Sequence, residues 1–267
     1  MKINKIISFS MGALMLLFSG CEPIVDEELL INTANFTDVE LVATQSAVGG
    51  NEITFEMNTS NVTGYWDYMI GKGLTDRVTV VFPVTGTFDF KYVGTLGAEF
   101  FEKVIPVEIT KLDSPVALEW AALLGDDAVA GQTWVFDGTS GDNGLWWYMA
   151  SGGPENDPVW DSVWWNAGGG GDAPSDVNGK MHFDLDGAAN FTYYSDANSG
   201  TNELGTFVLD TDGMTLKING SNILGSEEPR GNPGGSYTII SLTPDKMILF
   251  VPDNAGGTGW TWIFKPE

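Results

Sequence analysis

Residues 179–194 read GKMHFDLDGAANFTYY, and their alternation decides the fold class. Met181, Phe183 and Leu185 fall on one side of an extended chain, and Lys180, His182 and Asp184 on the other. That is the period-two signature of a half-buried strand. Asp186-Gly187 then separates this run from FTYY, which predicts a tight hairpin. The pattern recurs downstream in VLDTDGMTLKIN, where Asp212-Gly213 precedes a run that puts Met214, Leu216 and Ile218 inside. QTWVFD, GSYTIISLT, KMILFVP and GWTWIFK extend the series to eight or nine strands in one antiparallel system. The expectation is an all-β unit, a jelly-roll-type β-sandwich.

Upstream, KLDSPVALEWAALLGDD (111–127) carries the one helical signature of the chain. Ser114 reads as its N-cap, Pro115 as its first residue and Gly125 as its stop, with Trp120 on the apolar face. A new unit therefore starts at residue 113 and runs to 267. Before it, the short runs VELVA, EITFEM, RVTVVFPV and TFDFKYV predict a smaller antiparallel sandwich of immunoglobulin type over residues 35–112. GYWDYMIGKG followed by VVFPVTGTFDFKYVG resembles the PKD-type immunoglobulin-like domain, with Trp66, Asp67 and Tyr68 matching its first motif and Phe82, Gly86 and Phe88 its second. The match departs at MIGKG, which lacks the second acidic turn residue of that family. The resemblance implies a spacer, and Trp66 reads as the buried tryptophan of the sandwich.

The chain opens with MKINKIISFSMGALMLLFSGC, a basic start at Lys2 and Lys5, an apolar run and small residues before the sole cysteine. This is a secretory signal over residues 1–21, and LFSGC resembles a bacterial lipoprotein box in which Cys21 is lipidated. Residues 22–34 read as a linker. Its acids Asp26, Glu27 and Glu28 resemble an export signal to the outer face of the outer membrane, and a solvated acidic linker explains them equally well.

Without the two signal lysines the chain has 10 basic against 36 acidic side chains, a net charge of −26. Such a field repels nucleic acid and polyanions and tolerates a neutral ligand. Nine of the ten tryptophans lie beyond residue 113, and five fall within LWWYMASGGPENDPVWDSVWWN (145–166). Alternation in GLWWYMA sets Leu145, Trp147 and Met149 against Trp146 and Tyr148, so one of the adjacent tryptophans belongs to the core. Trp134, Trp260 and Trp262 lie in strands and read as core. Trp160, Trp164 and Trp165 sit where no period is sustained, in what reads as loop.

Indole faces beside amides and carboxylates are the chemistry of sugar recognition, because a pyranose presents an apolar face of C–H bonds and a rim of hydroxyls. The candidate glycan-binding residues are Trp160, Trp164, Trp165, Trp146, Tyr148, Asp161, Asn166 and Asp142. Asp137, Asp142 and Asn143 also supply hard oxygens to which a structural calcium ion could bind, and turn chemistry accounts for them as well. No other cofactor is expected.

The order of ALEWAALLGDDAVAGQTWVFD, VWWNAGGGG and KMHFDLDGAANFTYY is similar to that in C-terminal domains of Bacteroidetes surface glycan-binding lipoproteins of polysaccharide-utilisation systems. The resemblance implies a lipid-anchored outer-membrane protein that holds a neutral polysaccharide, such as the β-glucan laminarin, beside a porin-coupled importer. Catalysis is not expected, since no strand carries paired carboxylates at retaining-glycosidase spacing. The single histidine, His182, excludes a two-histidine zinc site, and no Gly-x-Ser-x-Gly elbow serves it; it reads as an ordinary strand-surface residue. Two alternatives stay open, a glycoside hydrolase of β-sandwich fold and a structural or adhesive protein whose aromatic surface meets another protein.

Overall fold

A computed structural model describes residues 36–137, 147–150, 163–166, 173–198, 202–226, 231–252 and 259–267. Of the sequence expectations, the signal, the linker, Cys21, Asp142, Asn143, Trp146, Trp160 and Asp161 lie outside these residues. The described residues are mostly β-strand with one short α-helix, so the all-β expectation holds.

The N-terminal unit is a two-sheet antiparallel sandwich. One sheet has the order β1 (Leu41–Gln45), β2 (Glu52–Met57), β5 (Arg77–Val81); the other has the order β4 (Lys72–Gly73), β3 (Val62–Asp67), β6 (Gly86–Leu96), β7 (Glu99–Ile109). Chain neighbours β2 and β3, and β5 and β6, lie in opposite sheets, which is the crossing pattern of an immunoglobulin-type sandwich. Burial in β2 alternates strictly, with Ile53, Phe55 and Met57 inside. Trp66 is fully buried, as expected, and packs between Phe55 and Tyr92 with its indole N–H donating to the Asp76 carbonyl. The strand β7 was not evident from the sequence, because Lys103 stands in its inward row and Phe100 and Val104 in its exposed row.

The second unit is not a jelly roll. Strands β8 (Gln132–Phe136), β11 (Lys180–Asp184), β12 (Asn190–Tyr194), β13 (Glu203–Asp210), β14 (Thr215–Asn219), β15 (Ser236–Thr243), β16 (Lys246–Pro252) and β17 (Gly259–Pro266) pair in this order, and β17 pairs back onto β8. The result is a closed eight-stranded antiparallel barrel. Strand spacing along the sequence cannot separate a meander from a Greek key; the β17–β8 pairing decides it. Phe264 opposite Phe136 and Pro266 opposite Trp134 seal the seam.

Eight strands enclose a lumen that side chains can fill. Trp134, Met181, Phe183, Phe191, Leu216, Met247, Leu249, Trp262 and Phe264 are all fully buried there. The alternation read in β11 is therefore the lumen pattern. In β14, Leu216 and Ile218 are buried, whereas Met214 stands in the preceding turn at φ 47°. Neither Asp-Gly pair makes a two-residue hairpin. The connections are residues 185–189 and 211–214, each organised by the aspartate that ends the preceding strand. Asp184 Oδ1 accepts from the Asp186 N–H and from Asn190 Nδ2, and Asp210 Oδ1 from the N–H groups of Asp212 and Gly213.

The helix α1 (Leu118–Leu124) closes one end of the barrel. Trp120 packs on Phe207, and the Trp134 indole donates to the Leu123 carbonyl inside the wall. Gly125 is its C-cap as expected, at φ 75°, but the helix starts later than the capping signal suggests. Ser114 is not the N-cap. The Ser114 N–H donates to Asn51 Oδ1 (2.8 Å), Asn51 Nδ2 donates to the carbonyls of Ser114 and Phe82, and Asp113 Oδ1 accepts from the Asn51 N–H. A residue before proline also avoids the helical region. The signal thus marks a junction pinned to the sandwich, and Ala117 caps the helix without a side-chain bond.

Beside Asp113, the Lys111 ammonium is the main cause that holds its carboxyl below the usual range, and the Asn51 N–H adds to it. Tyr92 is buried with its hydroxyl donating to Asp76 Oδ1. Burial first and the Asp76 charge second push its phenol up from 10.0 to about 12.

Two outcomes follow from these contacts. Asn51→Ala leaves buried backbone groups of residues 82 and 114 unpaired and should lower stability by about 2–4 kcal/mol in urea unfolding. Because Tyr92 keeps its proton in the folded chain after the unfolded chain has lost it, its contribution is complete below pH 10 and disappears as pH rises through about 12. Unfolding midpoints should therefore fall over that window, less steeply in Tyr92→Phe.

Candidate functional site

The barrel is asymmetric end to end. At the end covered by α1 the turns are short: residues 185–189, 211–214 and 244–245. This end meets the sandwich, where Met69, Ile70 and Lys72 face Ala188, Ala189 and Val208 across an open groove of about 350 Å³. At the other end the chain leaves the strands as residues 137–146, 151–162, 167–179, 195–202, 220–235 and 253–258. These six connections carry 11 acidic side chains and one basic side chain, Arg230. Long connections on a rigid wall are the usual place of binding residues.

β17 organises this end. Its C-terminal half pairs with β8, and its N-terminal half extends past the end of β8 and pairs with β9 (Trp147–Ala150). Phe136 stands opposite Phe264 and Trp147 opposite Trp262, so β8 and β9 lie in line on one edge of β17. The Asp137 N–H donates to the Ile263 carbonyl between them, and ten residues leave and rejoin the sheet there. Outside β9 lies β10 (Val163–Asn166), which makes a three-stranded flap, β10-β9-β17, rising above the barrel mouth.

The register places the candidate residues in two rows. Trp260, Met149 and Trp165 are cross-strand partners in one row; Thr261, Tyr148 and Asn166 are partners in the next. Thus Tyr148 and Asn166 come together, and Trp165 is grouped instead with Met149 and Trp260. VWWN was read as loop because its period is broken. It is a strand with a bulge, since Val163 opposes Ala150 and Trp165 opposes Met149, which leaves Trp164 as the extra residue. The insertion of one residue removes the alternation by which strands are recognised.

Trp134 and Trp262 are fully buried as expected; Trp260, two residues before Trp262, is partly buried and packs against the hydrophobic core. Thr261 Oγ1 is buried and has no hydrogen-bond partner among the described residues. His182 lies outside the lumen, with Nδ1 3.0 Å from Thr133 Oγ1 and Nε2 3.6 Å from Asp184 Oδ2.

One important residue had no sequence signal. Asp176, in the connection before β11, is buried and accepts from the Gly225 N–H and from the Tyr193 hydroxyl at 2.9 Å. Gly225 in turn accepts the Trp262 indole N–H at its carbonyl. One carboxylate thereby ties two long connections to β12 and β17. A buried acid in an aperiodic stretch looks like any turn aspartate until its partners are known. Nearby, Tyr237 meets Trp262 edge-on, and burial pushes its phenol up.

Among the described residues no group of three or more His, Cys, Asp or Glu side chains converges to hold a metal ion, and of the calcium candidates only Asp137 is described, buried at the end of β8. No family model matches the chain, and no curated protein is significantly similar to it.

Gly225 sits at φ 75°, and a Cβ there would lie 2.9 Å from Trp262 Nε1. Gly225→Ala should therefore displace the indole and cost about 1–3 kcal/mol, read as a lower denaturation midpoint with a changed near-ultraviolet signal from buried tryptophan.

Proposed function

We propose that the protein is a non-catalytic surface glycan-binding lipoprotein that captures a neutral polysaccharide, of which a β-glucan such as laminarin is the first candidate. The observation that carries this reading is the aromatic flap. Trp164 and Trp165 lie on a bulged edge hairpin beside a barrel whose lumen other strands already fill. Bulges on edge strands are favoured next to binding sites, because they re-aim side chains without disturbing the wall. An indole face offers a pyranose its best apolar partner, and the carboxylates and amides of the surrounding connections supply groups for its hydroxyls. The acidic surroundings favour an uncharged glycan over an anionic one.

In this reading the N-terminal sandwich is a PKD-type spacer. It meets the barrel at the short-turn end and leaves the long-connection end directed away from it. Lipidated Cys21 would anchor the chain to the outer membrane facing outward, beside a porin-coupled glycan importer. Catalysis forms no part of the proposal, and a structural calcium ion at Asp137, Asp142 and Asn143 is not required by it.

The test is affinity electrophoresis of residues 22–267 in gels containing laminarin, other neutral glucans and mannans, with a parallel assay for released reducing sugar. Retardation by at least one glycan, weakened roughly tenfold or more in Trp165→Ala or Trp164→Ala, is expected without sugar release. Sugar release would make the protein a hydrolase, and absence of retardation would favour the protein-binding alternative.

A further inference from the structure

Trp260 packs against the core, in line with its sequence reading, and the register gives it a second set of neighbours. It is only partly buried, and its cross-strand partner Met149 is itself paired with Trp165 on the far strand of the flap. Cross-strand partners stand on one face of a sheet. The row Trp260–Met149–Trp165 therefore belongs to the face that, two residues along β17, becomes the lumen wall at Trp262.

The distance along this row is set by the backbone. Two strand spacings separate Trp260 from Trp165, about 10 Å. That is too far for one pyranose to touch both rings and close to the reach of a sugar and its next-but-one neighbour in a chain.

We infer that Trp260 is a second stacking residue of the glycan site, and that the ligand is an oligosaccharide segment of at least three rings lying across β17, β9 and β10. This rests on the glycan-binding reading and adds to it a residue, a direction and a minimum length. A chain end or a single sugar would occupy only one of the two indoles. Binding should then depend on length in a stepwise manner, because the second platform is engaged only when the third ring is present.

The experiment is isothermal titration of residues 22–267 with β-glucan oligosaccharides of one to six rings, and with an α-glucan series of the same lengths. For the series that binds, affinity should rise at least tenfold between two rings and three or four. Trp260→Leu keeps an apolar side chain against the core but removes the aromatic face, and Trp260→Phe restores a smaller one. The leucine variant should bind the hexasaccharide about tenfold more weakly and lose the step between two and three rings, with partial recovery in the phenylalanine variant and melting curves that confirm folding of both. Equal affinity for one and six rings, or hexasaccharide binding unchanged in a folded Trp260→Leu, would overturn the inference while leaving the glycan-binding reading intact. Failure of the unaltered protein to bind any member of either series would remove that reading and the inference with it.

Discussion

Everything in the C-terminal unit depends on the two-part pairing of β17. Its lower half meets β8 and closes the barrel, so that Trp134, Phe136, Trp262 and Phe264 enter one sealed lumen. Each such ring buried stabilises the fold by roughly 2–3 kcal/mol through removal of apolar surface from water. Closure also removes the open edges that a sheet of this length would otherwise present. The upper half of the same strand is left without β8, and that free edge is what β9 and β10 occupy. The core and the candidate site thus share one strand, fully buried at Trp262 and only partly buried at Trp260.

The two ends of the barrel have divided tasks. One end is occupied by α1, by short turns and by the sandwich, with the junction held by the hydrogen bonds of a single buried side chain, Asn51. The other end carries the long connections, most of the local negative charge and the aromatic flap. Asp176 ties two of those connections to the wall, so part of this end is rigid independently of any ligand. Rigid support of this kind limits the entropy lost on binding and so favours the proposed capture of a polymer.

Legibility in the sequence followed periodicity. The strands β8 and β11–β17 were readable because one face of each is buried in the lumen, and that imposes alternation residue by residue. Trp66, Trp120, Trp134 and Trp262 were assignable to the core on the same ground. Where a different interaction claimed the residues, reading failed. Ser114 has the chemistry of a helix cap, but its backbone is taken by Asn51. Trp164 and Trp165 have the look of a loop because a bulge shifts their phase, and Asp176 has the look of a turn residue because its partners are 17 and 49 positions away.

The sequence by itself determined the class of structure and the location of the aromatic surface. Local alternation, turn residues and the clustering of tryptophan are properties of neighbouring positions, and they survive without knowledge of contacts. Only the tertiary structure decided that the sheet closes into a barrel, that Trp260 shares a row with Met149 and Trp165, and that Tyr148 joins Asn166 in the next. Those facts depend on register between paired strands, those of β17 with β8 and β9 lying more than 90 residues apart in sequence, and a one-residue change in register would carry each side chain to the opposite face.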